Sequence, residues 1–218
     1  MSQLGSRLVY QNAKALVERA GFSVNTAVLS QSYIRSEVAA STSTANYRFP
    51  ILVNDNFSTT FNTMNGTLLA LQDAFIISEV GLFVAKPASA TDTNFPLFTY
   101  LNPVVFPTGT LYTLWNGFLS ISINNRQILS AWQLKSHYNA PITQQQTAPF
   151  YSANTVPFRD QQDDSSGYAV MEPNVTLVGS KQNEVTINLP SAISTLDSGT
   201  RIVLILKGIR AQNVTPVR

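Results

Sequence analysis

The sequence predicts an all-β domain, a sandwich or a barrel, preceded by one amphipathic α-helix. Three observations carry that expectation. From about residue 47 onward the apolar residues recur with a period of two, in short runs bounded by Gly, Pro and Asn. Helical periodicity is clear in only one segment, and that segment precedes every strand-like run. No helix is expected between successive strands, which argues against a parallel βαβ arrangement.

Composition adds a statement about the surface. Of 218 residues only 26 are charged, while 74 are Asn, Gln, Ser or Thr. An ordinary soluble domain carries about 25% charged residues, roughly twice this fraction, and charge is what keeps a lone globule apart from its neighbours. A charge-poor polar surface points to a protein that meets other protein. Forty-four per cent apolar residues, including 12 Phe, 8 Tyr and 2 Trp, can fill the core of one domain. With no cysteine there is neither a disulfide nor a thiolate metal site. The segment MSQLGSRLVYQN lacks the apolar stretch of a secretory signal. No membrane span is expected, because the longest purely apolar runs, such as Ile202 to Leu206, fall far short of the ~20 residues a spanning helix needs.

The elements follow in order. Between Ser6 and Ala20, Val9, Ala13, Leu16 and Ala20 line one helical face, with Ser6 as N-cap and Gly21 as left-handed C-cap. Residues 1–21 read as a helical arm or a brace against the sheet, and 22–218 as a single β-domain. Tyr47 to Val53, interrupted by Pro50, fits an edge strand. Phe75 to Val84 alternates, with Ile76, Val80, Leu82 and Val84 on one face and Glu79 on the other. Leu97 to Leu101 and Thr110 to Trp115 are two further short strands. In GFLSISINNRQILSAWQL, a two-residue Asn124-Asn125 turn sets Ile121 opposite Ile128, Gly117 opposite Trp132 and Trp115 opposite Leu134, with both Trp on the core face. A second hairpin is expected in NVTLVGSKQNEVTINLP, turning between Gly179 and Asn183. Arg201 to Arg210 is apolar on both faces around Ile202 to Leu206, the mark of a covered central strand. The count is eight to ten strands.

Between the two hairpins, residues 135–173 form a long excursion with four prolines, Gln144 to Gln146, and the cluster Asp160, Asp163 and Asp164. Its aromatics Phe150, Tyr151, Phe158 and Tyr168 suggest an ordered segment that packs on its own domain or on a neighbouring subunit. With Val9 and Leu16 of the helix, those four are the candidate assembly contacts.

Catalytic chemistry finds little to stand on. The single histidine, His137, has no nucleophile motif near any serine, so no catalytic residue is assigned. The aspartate cluster has hard oxygen ligands suited to Ca²⁺, yet its spacing is not that of an EF-hand, and a solvated turn or an acidic contact patch explains it as well. No metal or cofactor is expected. Basic residues gather at the ends: the first 35 residues carry a balance of +3 and the last 18 a balance of +4. Arg7, Lys14, Arg19, Arg201, Lys207 and Arg210 are therefore candidates for weak, non-specific contact with phosphate, provided the two ends share a face.

A basic N-terminal helical arm, eight or more short strands, a long late loop and the closing segments EPNVTLVGSKQNEVTINLP and RIVLILKGIR together resemble the jelly-roll capsid proteins of small icosahedral viruses, particularly tailless phages. The resemblance implies an antiparallel β-sandwich of jelly-roll type, a self-assembling shell subunit, partners that are copies of itself and other virion proteins, and residence in the virion after synthesis in the host cytoplasm. The low basic content of the arm departs from arms that condense a genome. The rival expectation is a lectin-like or receptor-binding sandwich of a spike or fibre, with Trp115, Trp132 and tyrosines stacking on sugar rings.

Overall fold

The computed structural model describes residues 3–23, 27–55, 67–89, 92, 94–102, 105–107, 111–139 and 167–216, with the backbone alone for 3–10 and 215–216. Helix α1 spans Gln3–Arg19. The strands are β1 (Phe22–Ser23), β2 (Val28–Ala39), β3 (Asn46–Phe49), β4 (Ala74–Ala85), β5 (Phe118–Ile123), β6 (Arg126–Gln133), β7 (Tyr168–Val178), β8 (Asn183–Asn188), β9 (Arg201–Gln212) and β10 (Thr215–Pro216). A one-turn helix α2 (Tyr112–Trp115) precedes β5, and a 3-10 turn (Leu134–His137) follows β6.

Two four-stranded antiparallel sheets face each other, one in the order β2-β9-β4-β7 and the other β3-β8-β5-β6. The pairing is nested: β2 with β9, β3 with β8, β4 with β7, and β5 with β6. Such nesting is what a long two-stranded ribbon gives when it is wrapped on itself into two layers. The protein is thus an all-β sandwich, as its alternating pattern and Gly/Pro punctuation predict. Its core lies between the layers, where Phe75, Ile77, Leu204 and Leu206 of the first sheet meet Leu119, Ile121, Val185 and Ile187 of the second.

β9 sits between β2 and β4, and its apolar run has two uses. Ile202, Leu204 and Leu206 point into the core. Val203 and Ile205 pack outward with Phe83 and Ala85, and Ile209 and Ala211 pack outward beneath α1. The helix presents Ala13 and Val17, both buried, to Ile76, Val178 and Ile209, with Leu16 and Ala20 flanking them. It is a brace on the outer face of the sheet. Gly21, at φ +90, ends it with its N–H on the Glu18 carbonyl, a backbone state that glycine reaches without strain.

Several expectations are corrected. α1 begins at Gln3, so Ser6 lies inside the helix and is not its cap; nothing in Gln3 to Gly5 breaks helical backbone. In β4 the register slips between Ile77 and Glu79, leaving Ser78 as an extra residue whose hydroxyl donates to the Lys207 carbonyl at 3.1 Å. The bulge changes the phase of the strand, so Phe75 and Ile77 face the core with Val80, Leu82 and Val84, while Ile76 faces α1. Gly208 lies against this bulge, where a side chain would run into the Ile76 carbonyl.

The Asn124-Asn125 turn is present, with φ of 49° and 61°, and Ile123 pairs with Arg126 as a two-residue turn requires. Two irregularities then move the register by two residues, so that Ile121 faces Leu129 and Leu119 faces Trp132. Trp115 belongs to α2 and not to a strand, and Ile128 is 47% exposed. Leu97 to Leu101 contributes only one bridge, Phe98 to Val84. The second expected hairpin is an arch: β7 and β8 lie in opposite sheets, and the 179–182 loop carries the chain across the sandwich. Alternating Val175, Leu177, Val185 and Ile187 fit either arrangement, because an arch and a hairpin both turn alternate residues toward one core.

Candidate functional surfaces

Among the described residues, the outer face of the first sheet is covered at both ends and open between. α1 covers one end, and Phe95 and Leu97 cover the other. Between them lies a groove of about 590 Å³ lined in part by Gln31, Tyr33, Arg35, Glu79, Tyr168 and Lys207. Its charges are satisfied in pairs. Lys207 lies 3.7 Å from Glu79 and 3.3 Å above the Tyr168 ring. Burial and the Glu79 carboxylate push the Tyr168 hydroxyl above the usual tyrosine pKa, partly opposed by Arg35.

Beside the groove, Glu37 joins two arginines. Its carboxylate is 3.1 Å from Arg201 Nη1 and 2.7 Å from Arg35 Nη2, with Arg35 Nε donating at 2.8 Å. Both guanidinium groups lie over Phe95, at 5.3 and 5.2 Å from its ring centre. The cluster ties β2, β9 and the 94–102 segment together with an ion network sealed by an aromatic ring. Nothing in the sequence reading pointed to it, because β2 is rich in Ser, Gln and charge and lacks a clean period of two. The one available signal is Arg35-x-Glu37, which places both side chains on one face of any strand.

The outer face of the second sheet has a different chemistry. Asn46 Nδ2 donates to Asn188 Oδ1 at 2.6 Å, Asn188 Nδ2 to Ser120 Oγ at 3.2 Å, and Ser120 and Thr186 share a hydrogen bond of 2.7 Å. Arg48 and Glu184 add one long, half-exposed ion pair of 3.7 Å. No helix packs across this face among the described residues. Amides and hydroxyls satisfy one another there, so the face can be dried against another protein with little of the penalty of desolvating ions. At one end of the same sheet, Tyr112 and Phe118 are exposed, at 59% and 39%, and Tyr112 stands 6.2 Å from Tyr138.

The basic residues are divided. Lys14 and Arg19 are exposed on α1, and Arg7 lies on its first turns, where the side chain is outside the described residues. The two ends of the chain do meet, because Phe22 and Ser23 of β1 pair with Pro216 and Thr215 of β10. Arg201, however, is 1% exposed in the Glu37 network, and Arg210 donates to the carbonyls of Thr67 and Leu68. Those two charges are used inside the fold. Of the candidate contact residues, Leu16 is half-buried on the face of α1 that packs on the sheet and Tyr168 lies in the groove; the side chain of Val9, and all of Phe150, Tyr151 and Phe158, lie outside the described residues. Asp160, Asp163 and Asp164 also lie outside them, and among the described residues no three His, Asp or Glu side chains gather as a metal site would need.

His137 is buried, and both ring nitrogens are engaged: Trp132 Nε1 is 3.0 Å from Nε2, and the Gly167 carbonyl is 3.1 Å from Nδ1. Its partners are an indole and a backbone carbonyl, with no serine hydroxyl hydrogen-bonded to it among the described residues. Trp115 is 2% exposed, and Trp132 is half-buried against the core with its Nε1 donating to His137. No protein family model, no curated protein and no solved structure matches this chain significantly.

Proposed function

We propose that this sandwich is a jelly roll and that the protein is a structural subunit of a self-assembling shell, of the kind that builds the capsids of small icosahedral, tailless phages. The observation that carries the reading is the strand order. Eight strands in two sheets, β2-β9-β4-β7 against β3-β8-β5-β6 with nested pairing, match a double Greek key wound into two layers. The hydrogen-bonded amide and hydroxyl face of the second sheet supports the step from fold to assembly. A surface made of Asn46, Asn188, Ser120 and Thr186, in a chain of net charge +2, suits burial against further copies.

The binding-module alternative rested on Trp115, Trp132 and the tyrosines; Trp115 is buried and Trp132 half-buried against the core, which leaves it the exposed Tyr112 and Tyr138 alone. Electron microscopy of the purified protein tests the shell reading, with closed particles expected. As a surface control, Asn188→Lys places a charge within the amide and hydroxyl network, at the end of β8. It is expected to leave the subunit folded and to abolish particles; unchanged particle yield would move the assembly surface elsewhere.

A further inference from the structure

His137 sits where the two sheets are joined at one side of the sandwich. It closes the 3-10 turn after β6 in the second sheet, and Gly167 directly precedes β7 in the first. The bond partners fix its protonation. An indole N–H can only donate, so Nε2 must offer its lone pair to Trp132; the proton of the neutral ring is then on Nδ1, donated to the Gly167 carbonyl. The imidazole thus links a β6 side chain to the backbone at the start of β7, and both of its nitrogens are used in the neutral form.

A second proton would go to Nε2, which points at the indole N–H. Two donors would then face each other at 3.0 Å, and one must move. The Gly167 carbonyl still accepts from Nδ1, so the strained contact is the one to Trp132. Among the described residues no carboxylate is placed to compensate. Lys135, on the same turn, is exposed; of the elements packed on the turn, β4 brings Glu79, which pairs with Lys207 on the outer face, β7 brings Tyr168 in the groove and the exposed Glu172, and α2 brings Tyr112 beside Tyr138. Among the described residues none of these bonds to the imidazole. Burial holds the ring below the ordinary histidine pKa, and the Gly167 carbonyl opposes this only in part.

We propose that His137 is an acid-opened latch: its protonation releases Trp132 and frees the end of β6 from the start of β7. The sign follows from linkage. A histidine whose folded pKa is depressed gives its full contribution above the unfolded value of about 6.5, and loses it as pH falls toward the folded value. Over that window the open population rises by up to about tenfold per pH unit, for one proton taken up. The latch depends on the sandwich alone and not on the shell reading.

Two measurements on the wild-type chain, as subunit or as particle, decide it. Exchange of the His137 ring C2 hydrogen against pH, read by mass spectrometry, reports the titration of the single histidine directly, and a midpoint below 6.5 is expected. Backbone amide exchange across residues 126–133, corrected for the intrinsic pH dependence, should rise by up to about tenfold per pH unit through the same window. Trp132→Phe should raise the histidine midpoint, and His137→Gln should flatten the response of β6. A midpoint at or above 6.5, or β6 protection that stays constant while His137 titrates, overturns the latch.

Discussion

Glu37→Ala is the most informative single perturbation of the fold. The carboxylate is 3% exposed and serves Arg201, 1% exposed, and Arg35, 14% exposed. Removing it leaves the Arg201 guanidinium in the protein without its carboxylate, and breaking one partner out of a buried pair costs about 3–5 kcal/mol. Arg35 can turn to water, and its share is at most about 1 kcal/mol. With a urea m-value of about 2–3 kcal/mol per molar for a domain of this size, the unfolding midpoint should fall by roughly 1–3 M. The double replacement Glu37→Met with Arg201→Met removes both charges at similar volume and should recover most of the loss. Urea titrations of wild type, Glu37→Ala, Glu37→Met, Arg201→Met and the double Met variant, followed by tryptophan fluorescence, close the cycle. If Glu37→Ala lies within about 1 kcal/mol of wild type, or the double variant is as unstable as the sum of the singles, the network does not pin the fold.

Other outcomes follow from particular contacts. Val17→Ala removes two buried methyl groups from the α1 contact and should cost about 2 kcal/mol in urea unfolding, with α1 helicity kept. Asn125→Gly should be neutral or slightly stabilising, whereas Asn125→Val should lose about 1–2 kcal/mol, because a β-branched residue must hold φ near 61°. Burial raises the Tyr47 pKa against the Ser41 bond and, with Glu79, raises that of Tyr168. Their protonated forms are favoured in the fold, so this contribution is full below pH ~10 and is lost as pH rises through the folded values; stability measured from pH 8 to 11 should fall, less steeply in Tyr47→Phe.

How much of this was legible depended on whether a local rule was enough. The Asn124-Asn125 turn was readable because positive φ is a local demand that few residues meet. β9 was readable because five apolar residues in a row leave no polar face, and β3 because Pro50 marks an edge. The β4 bulge was not: Ser78 looks like any other outward residue, and its phase change is set by Gly208 and Asn174, far away in sequence. The arch between β7 and β8 passed for a hairpin because alternation records which side faces the core, and not which sheet the strand joins. β2 was missed because half of its side chains serve an ion network and a polar groove in place of the core. Of the candidate surface, the charge-poor character was visible in composition, while the Asn46, Asn188, Ser120 and Thr186 network needed three strands in register.

The central claim is that this sandwich associates with copies of itself. Negative-stain electron microscopy of the purified chain, paired with sedimentation velocity over a range of concentration, salt and pH, tests it most directly. Closed particles of uniform diameter, with little free subunit at high concentration, are the expected result. A single slow species at every concentration, with no particles on the grid, would contradict it.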